Sequence, residues 1–167
     1  VTHLLDGLSA YERIGHHERL SVQGWLTVAA SVIALTGLVG WPAARGWRRY
    51  RGGGSPPASV TRARWVAGAG VAGLLSFVLA FVAVSVVVVS MGRPTLFDRP
   101  PAWFEVVFVV PTLGAVATAG AVAYAVRAWV RSEWSLAARV HYSAVVAAAT
   151  VLYWLLQYWN LLWVRMG

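Results

Sequence analysis

Trp65 to Met91 reads WVAGAGVAGLLSFVLAFVAVSVVVVSM and holds no charged side chain. A bilayer core of about 30 Å takes roughly 20 residues of apolar helix, so this stretch is long enough to cross. Three further runs pass the same test: Val22 to Trp41, Trp103 to Val126 and Val140 to Val164. The expected fold is an all-α membrane protein, a bundle of four transmembrane helices over about 22–41, 65–91, 103–126 and 140–164.

Composition agrees. Of the 167 residues, 59% are hydrophobic and 12% are charged, against about 25% charged in a soluble domain. Lipid is the natural solvent for such a chain, and its length suits one domain. Cys and Lys are absent, and the basic residues are all Arg. That excludes disulfides, thiolate metal sites and chemistry that needs a lysine amine. The net charge of +8 does not point to nucleic acid, because the arginines cluster between the apolar runs, as topology signals do.

Those arginines orient the chain. Arg45, Arg48, Arg49, Arg51, Arg62 and Arg64 lie in an Arg-rich loop over 42–64. Arg127, Arg131 and Arg139 lie between the third and fourth runs. The opposite side holds Arg13, Arg19, Arg93, Arg99 and Arg165. Cytoplasmic loops carry the excess of positive charge. Both basic loops are therefore expected inside, and both termini outside the cytoplasm. Residues 1–21 form an extracytoplasmic juxtamembrane segment, and Asp6 to Leu20 reads as a short amphipathic helix lying at the interface. The Gly-Gly-Gly-Ser-Pro-Pro centre of the 42–64 loop reads as a flexible linker. Eight tryptophans, Trp25, Trp41 and Trp134 among them, lie near run ends, where amphipathic rings favour the headgroup level.

Patterns that resemble chemistry resolve into packing. Gly68-Ala-Gly-Val-Ala-Gly73 matches the dinucleotide fingerprint, but that motif needs a strand before it. Inside a span, small residues let helices approach closely. Gly114 with Thr118, and Ala117 with Ala121, have the same small-xxx-small character. Pro111 is expected to kink the third helix or to mark its start. His16-His17-Glu18, with His3 nearby, lacks metal-ligand spacing, because adjacent histidines point apart. Arg139, His141 and Glu105 read as interfacial, with Glu105 facing Arg99 or Arg93.

The one candidate site is a polar face on the fourth span. Tyr142, Tyr153, Gln157 and Asn160 fall on one side by helical spacing. Polar groups in hydrocarbon are costly, so this face is expected to point into the bundle, as interhelical hydrogen bonds or a ligand pocket. No residue is assigned to catalysis, to a cofactor or to a metal.

Two stretches carry a family resemblance. Trp134-Ser-Leu-Ala-Ala-Arg-Val-His-Tyr142 and Leu155-Leu-Gln-Tyr-Trp-Asn-Leu-Leu162 resemble the W-S-L-x-x-R-x-H-Y … F-L-N-Y-W-N-L-L ending of a hydrophobic C-terminal region. That region follows the catalytic domain in some exported β-lactamase-related (penicillin-binding-protein-like) serine hydrolases. Ser9-Ala-Tyr-Glu-Arg13 and Gly40-Trp-Pro42 resemble earlier parts of the same region. Gln157 stands where the pattern has Asn.

The resemblance implies a covalently preceding hydrolase domain and a multi-pass anchor in the plasma membrane. The family's Ser-x-x-Lys, Tyr-x-Asn and later Lys- or His-containing motifs belong to that preceding domain, so no catalytic residue carries over. The other reading is a freestanding four-helix membrane protein, a transporter subunit or sensor. Four spans exceed what anchoring needs, which suits a further role such as homo-oligomerisation or a lipid-facing cleft.

Overall fold

The computed structural model describes residues 4–6, 9–11, 20–90, 102–159 and 161, with side-chain surroundings for 21–90, 109–159 and 161. The described chain is dominated by four helices: α1 (Leu20–Tyr50), α2 (Ala58–Ser90), α3 (Ala102–Arg131) and α4 (Leu136–Tyr158). All four are long and apolar enough to cross a membrane. The expected four-helix membrane bundle is the observed fold.

At the arginine-bearing end all four helices run past the limits predicted from hydropathy, whereas α4 stops at Tyr158, short of the expected 164. At 33 residues, α2 is about 50 Å long, well beyond the hydrocarbon thickness. Hydropathy marks where lipid ends. Backbone hydrogen bonds are satisfied within a helix in either solvent, so nothing stops the helix at that plane.

Most of the 42–64 segment is therefore helical, which corrects its reading as a loop. α1 continues through Pro42 and ends on Arg48 and Arg49 in its last turn, where cations complement the helix dipole. The glycines form a defined cap. Gly52 takes a left-handed φ of 68°. Its N–H donates to Arg49 O at 3.2 Å, and Gly53 N–H donates to Arg48 O at 2.8 Å. That is the paired bonding of a Schellman cap, and position 52 needs glycine because other side chains strain at such a φ. Pro57 precedes α2, and its carbonyl accepts from Thr61 N–H at 3.1 Å.

The amphipathic helix expected over residues 6–20 is corrected at its start, while residues 12–19 lie outside the described residues. Leu4–Asp6 (β1) pairs antiparallel with Ser9–Tyr11 (β2), with Leu4 opposite Tyr11. Asp6 pairs with Ser9, and glycine as the first of the two residues between them is a hairpin signal. The histidines at 3, 16 and 17, with Arg93, Arg99 and Asn160, lie outside the described residues.

The helices pack in cyclic order α1–α2–α3–α4, with α2 also touching α4 across the middle. Among the described residues α1 and α3 do not meet. The interior divides into two clusters, each around one tyrosine of α4. Tyr153 packs with Ala34, Val71, Leu74 and Val145. Tyr142 packs with Ala63, Ala67, Ala121 and Trp134. Large apolar side chains such as Trp25, Leu79, Leu113 and Val116 cover the outside. Because lipid is as apolar as leucine, small residues that admit close packing hold such bundles together. Pro111 lies inside α3 and is fully buried, so it does not mark the helix start.

Candidate functional site

The candidate face begins at the cap of α4. Ser135 precedes the helix, and its Oγ accepts from Ala138 N–H at 3.3 Å, which satisfies a terminal donor. From that start, 142, 145, 146, 149 and 153 repeat at helical spacing, and all five are buried.

Each tyrosine hydroxyl reaches a backbone carbonyl on a neighbouring helix. Tyr142 donates to Ala63 O on α2 and Ala121 O on α3, both at 3.2 Å. One proton is shared between two acceptors, so the hydroxyl joins three helices. Tyr153 donates to Gly70 O at 2.8 Å. A ladder carbonyl keeps a second lone pair, so these bonds leave the helix hydrogen bonds intact.

The glycines make room for this. A Cβ on Gly73 would stand 3.0 Å from the Gly114 Cα and 3.1 Å from the Tyr153 hydroxyl. A Cβ on Gly70 would overlap Thr118 Oγ1, and one on Gly114 would overlap the Tyr153 hydroxyl. Gly70, Gly73, Gly114 and Thr118 thus form a close α2–α3 crossing, as the small-residue reading expects. Thr118 returns its hydroxyl to Gly114 O at 2.9 Å. Gly68, the first glycine of the motif, has open space around its Cβ position. Ala121 is fully buried, while Ala117 is half-buried.

The lower part of the predicted face separates from the upper. Gln157 is exposed, which corrects its placement in the interior. Spacing from Tyr153 is right, but α4 ends at Tyr158, and no described helix covers that last turn on the side of Gln157. Asn160 lies outside the described residues. Gln157→Leu is therefore expected to change bundle stability by less than about 0.5 kcal/mol. Tyr153→Phe is expected to lower it by about 0.6 to 1.7 kcal/mol, the range for interhelical hydrogen bonds in a bilayer. Reversible unfolding in mixed micelles measures both, and a larger loss from Gln157→Leu contradicts its exposure.

Sequence reasoning missed a second polar contact. His141, expected at the interface, bridges α4 to α1. Trp41 Nε1–H donates to His141 Nδ1 at 3.3 Å, and an indole nitrogen can only donate. The ring proton is thereby assigned to Nε2, which lies 3.0 Å from Thr36 Oγ1. Thr36 passes its own hydrogen to Ile33 O at 2.6 Å. Trp41 also stacks on Tyr142, with ring centroids 5.9 Å apart. The available signal was a histidine next to Tyr142 within an apolar helix. Trp134, expected at headgroup level, folds back from the α3–α4 connection. It is buried edge-on against Tyr142 at 5.2 Å.

The topology arginines gather at one end of the molecule. Arg45, Arg48 and Arg49 occupy the end of α1, Arg51 follows it, and Arg62 and Arg64 lie in the opening turns of α2. At the same end Arg139 stacks over Trp129 at 5.1 Å and donates to Ser132 Oγ at 3.1 Å. Arg131 pairs with Glu133 at 3.7 Å. The interior face holds helices together: its tyrosine and threonine hydroxyls are committed to backbone carbonyls. No family model matches the chain, and neither does any curated protein or solved structure.

Proposed function

We propose that this chain is the non-catalytic membrane-anchoring module of an exported β-lactamase-related serine hydrolase, with both termini outside the cytoplasm of a plasma membrane. The carrying observation is the division of labour in the bundle. Its outer surface is apolar for lipid, and the interior hydroxyls of Tyr142, Tyr153 and Thr118 all bond to backbone carbonyls. Such an interior is suited to retention in the bilayer rather than to acid–base chemistry. The resemblance of residues 134–142 and 155–162 supports the family. The arginine excess at the α1–α2 and α3–α4 ends supports the orientation independently.

The absence of cysteine makes the orientation directly testable. Ser9→Cys is expected to react with a membrane-impermeant maleimide on intact cells, and Ser55→Cys only after permeabilisation. The reverse pattern overturns the orientation. The parent is tested by the intact mass of the native product and its upstream reading frame. An in-frame exported domain with Ser-x-x-Lys supports the anchor, and a native product of 18.0 kDa rejects it.

A further inference from the structure

Between α1 and α2, toward their arginine-bearing ends, lies a half-open cleft of about 350 Å³. Two helical stripes line it. On α1 these are Leu38, Trp41, Arg45 and Arg48, and on α2 Arg64 and Gly68. The cleft has two chemical ends. The end continued by Ala69 and Ala72 is apolar, and both alanines are exposed. The other end brings together Arg45, Arg48 and Arg64.

No carboxylate with a described side chain balances these three charges. Among residues with described side chains the sole carboxylate is Glu133, which pairs with Arg131. Arg48 is the acute case. Its Nε and Nη2 are both buried and have no hydrogen-bond partner among the described residues. A guanidinium withdrawn from water without an acceptor is costly. Arg64 lies over the Trp41 ring at 5.9 Å, which steers its charge along the cleft wall but accepts no hydrogen bond. The Schellman cap occupies the Arg48 and Arg49 carbonyls with Gly53 and Gly52 N–H, so the end of α1 presents cations more than acceptors.

We propose that this cleft binds one anionic phospholipid, its phosphate held by Arg45, Arg48 and Arg64 and an acyl chain lying along Leu38, Gly68 and Ala72. A phosphate offers the planar guanidinium two acceptor oxygens at once. Basic pockets between membrane helices suit lipid headgroups in this way. The apolar floor selects a lipid over free phosphate, which gains nothing from it. Trp41 and Trp65 in the lining set the phosphate at the level where tryptophans favour the headgroups. Net negative charge is also required, because three arginines without a carboxylate disfavour a zwitterionic headgroup. Gly68 has no heavy atom within 4 Å of its Cβ position, so the chain's path is open space and not a packed contact. This site stands whether or not a hydrolase precedes the bundle.

The test is native mass spectrometry of the full chain released from micelles doped with dioleoylphosphatidylglycerol or dioleoylphosphatidylcholine. The expected result is one phosphatidylglycerol retained, with affinity about tenfold or more above phosphatidylcholine. Arg48→Gln with Arg64→Gln is expected to lower that affinity about tenfold or more. Gly68→Leu keeps every charge and fills the chain's path, and it is expected to give a comparable loss. Because a Cβ there meets nothing, this variant keeps the proposal testable if the arginine pair fails to fold. Arg62→Gln, on an exposed arginine, should retain the lipid. Equal retention of the two lipids, or unchanged retention in Gly68→Leu, overturns the proposal. Full competition by millimolar inorganic phosphate also overturns it, as the mark of a free-anion site.

Discussion

Gly114→Ala is expected to lower the stability of the bundle by about 2–4 kcal/mol. The added methyl would overlap the Tyr153 hydroxyl, and it would stand 3.2 Å from the same ring's Cζ and 3.3 Å from Gly70 O. Two of these neighbours are rigid or backbone, so the tyrosine must move and release its bond to Gly70 O. Overpacking costs about 1–3 kcal/mol, and the lost bond adds about 0.6 kcal/mol or more. The cause is identified by a double-mutant cycle. In a Tyr153→Phe background the colliding oxygen is gone, so Gly114→Ala should cost at least about 1 kcal/mol less. Gly40→Ala is the control. Its Cβ position meets nothing within 4 Å, and alanine suits a helix better than glycine by about 0.5–1 kcal/mol. Unfolding followed by circular dichroism in mixed micelles reads all four variants. If Gly114→Ala behaves like Gly40→Ala, Tyr153 is not wedged into the α2–α3 crossing.

That crossing marks how far sequence reading reaches. Hydropathy located four helices, because about 20 apolar residues in a row have few other uses. Small-residue spacing identified Gly70, Gly73 and Gly114 as contacts. It could not separate them from Gly68, which lies only two residues before Gly70. Spacing gives the angle of a side chain about its own helix, but not where the neighbouring helices stand. The same limit divides the polar face of α4. Tyr142 and Tyr153 are buried by α2 and α3, while Gln157 shares their direction at a level where that side is uncovered. Helix ends were misplaced for another reason. The arginines at 45–51 mark the water boundary, and the backbone ignores that boundary until the Gly52 cap. Arg45, Arg48 and Arg64 share a cleft between α1 and α2, a property of packing and not of spacing.

Tyr142→Ala is expected to cost about 2–3 kcal/mol, and the reason lies in what surrounds the ring. Tyr142 is 2% exposed, stacked on Trp41 and met edge-on by Trp134. Ala63 and Ala121, which flank it from α2 and α3, have no exposed surface. Helices already in contact through alanine and glycine have little room to close on a void. In a soluble core the loss would include transfer of the ring to water. Here the separated helices remain in lipid, so the cavity itself dominates. At about 24 cal/mol per Å³, a residual void of roughly 100 Å³ costs about 2.4 kcal/mol. Tyr142→Phe keeps the ring and both aromatic contacts and loses only a shared hydroxyl bond, so its cost should stay near 0.6–1.7 kcal/mol. Equal losses from the two variants would assign the stability to the hydroxyl rather than to the ring. A cavity lined by Trp41, Trp134, Ala63 and Ala121 is also apolar enough to take a small aromatic guest. Benzene should therefore restore stability to Tyr142→Ala and leave Tyr142→Phe unchanged, because the second variant has no void to fill.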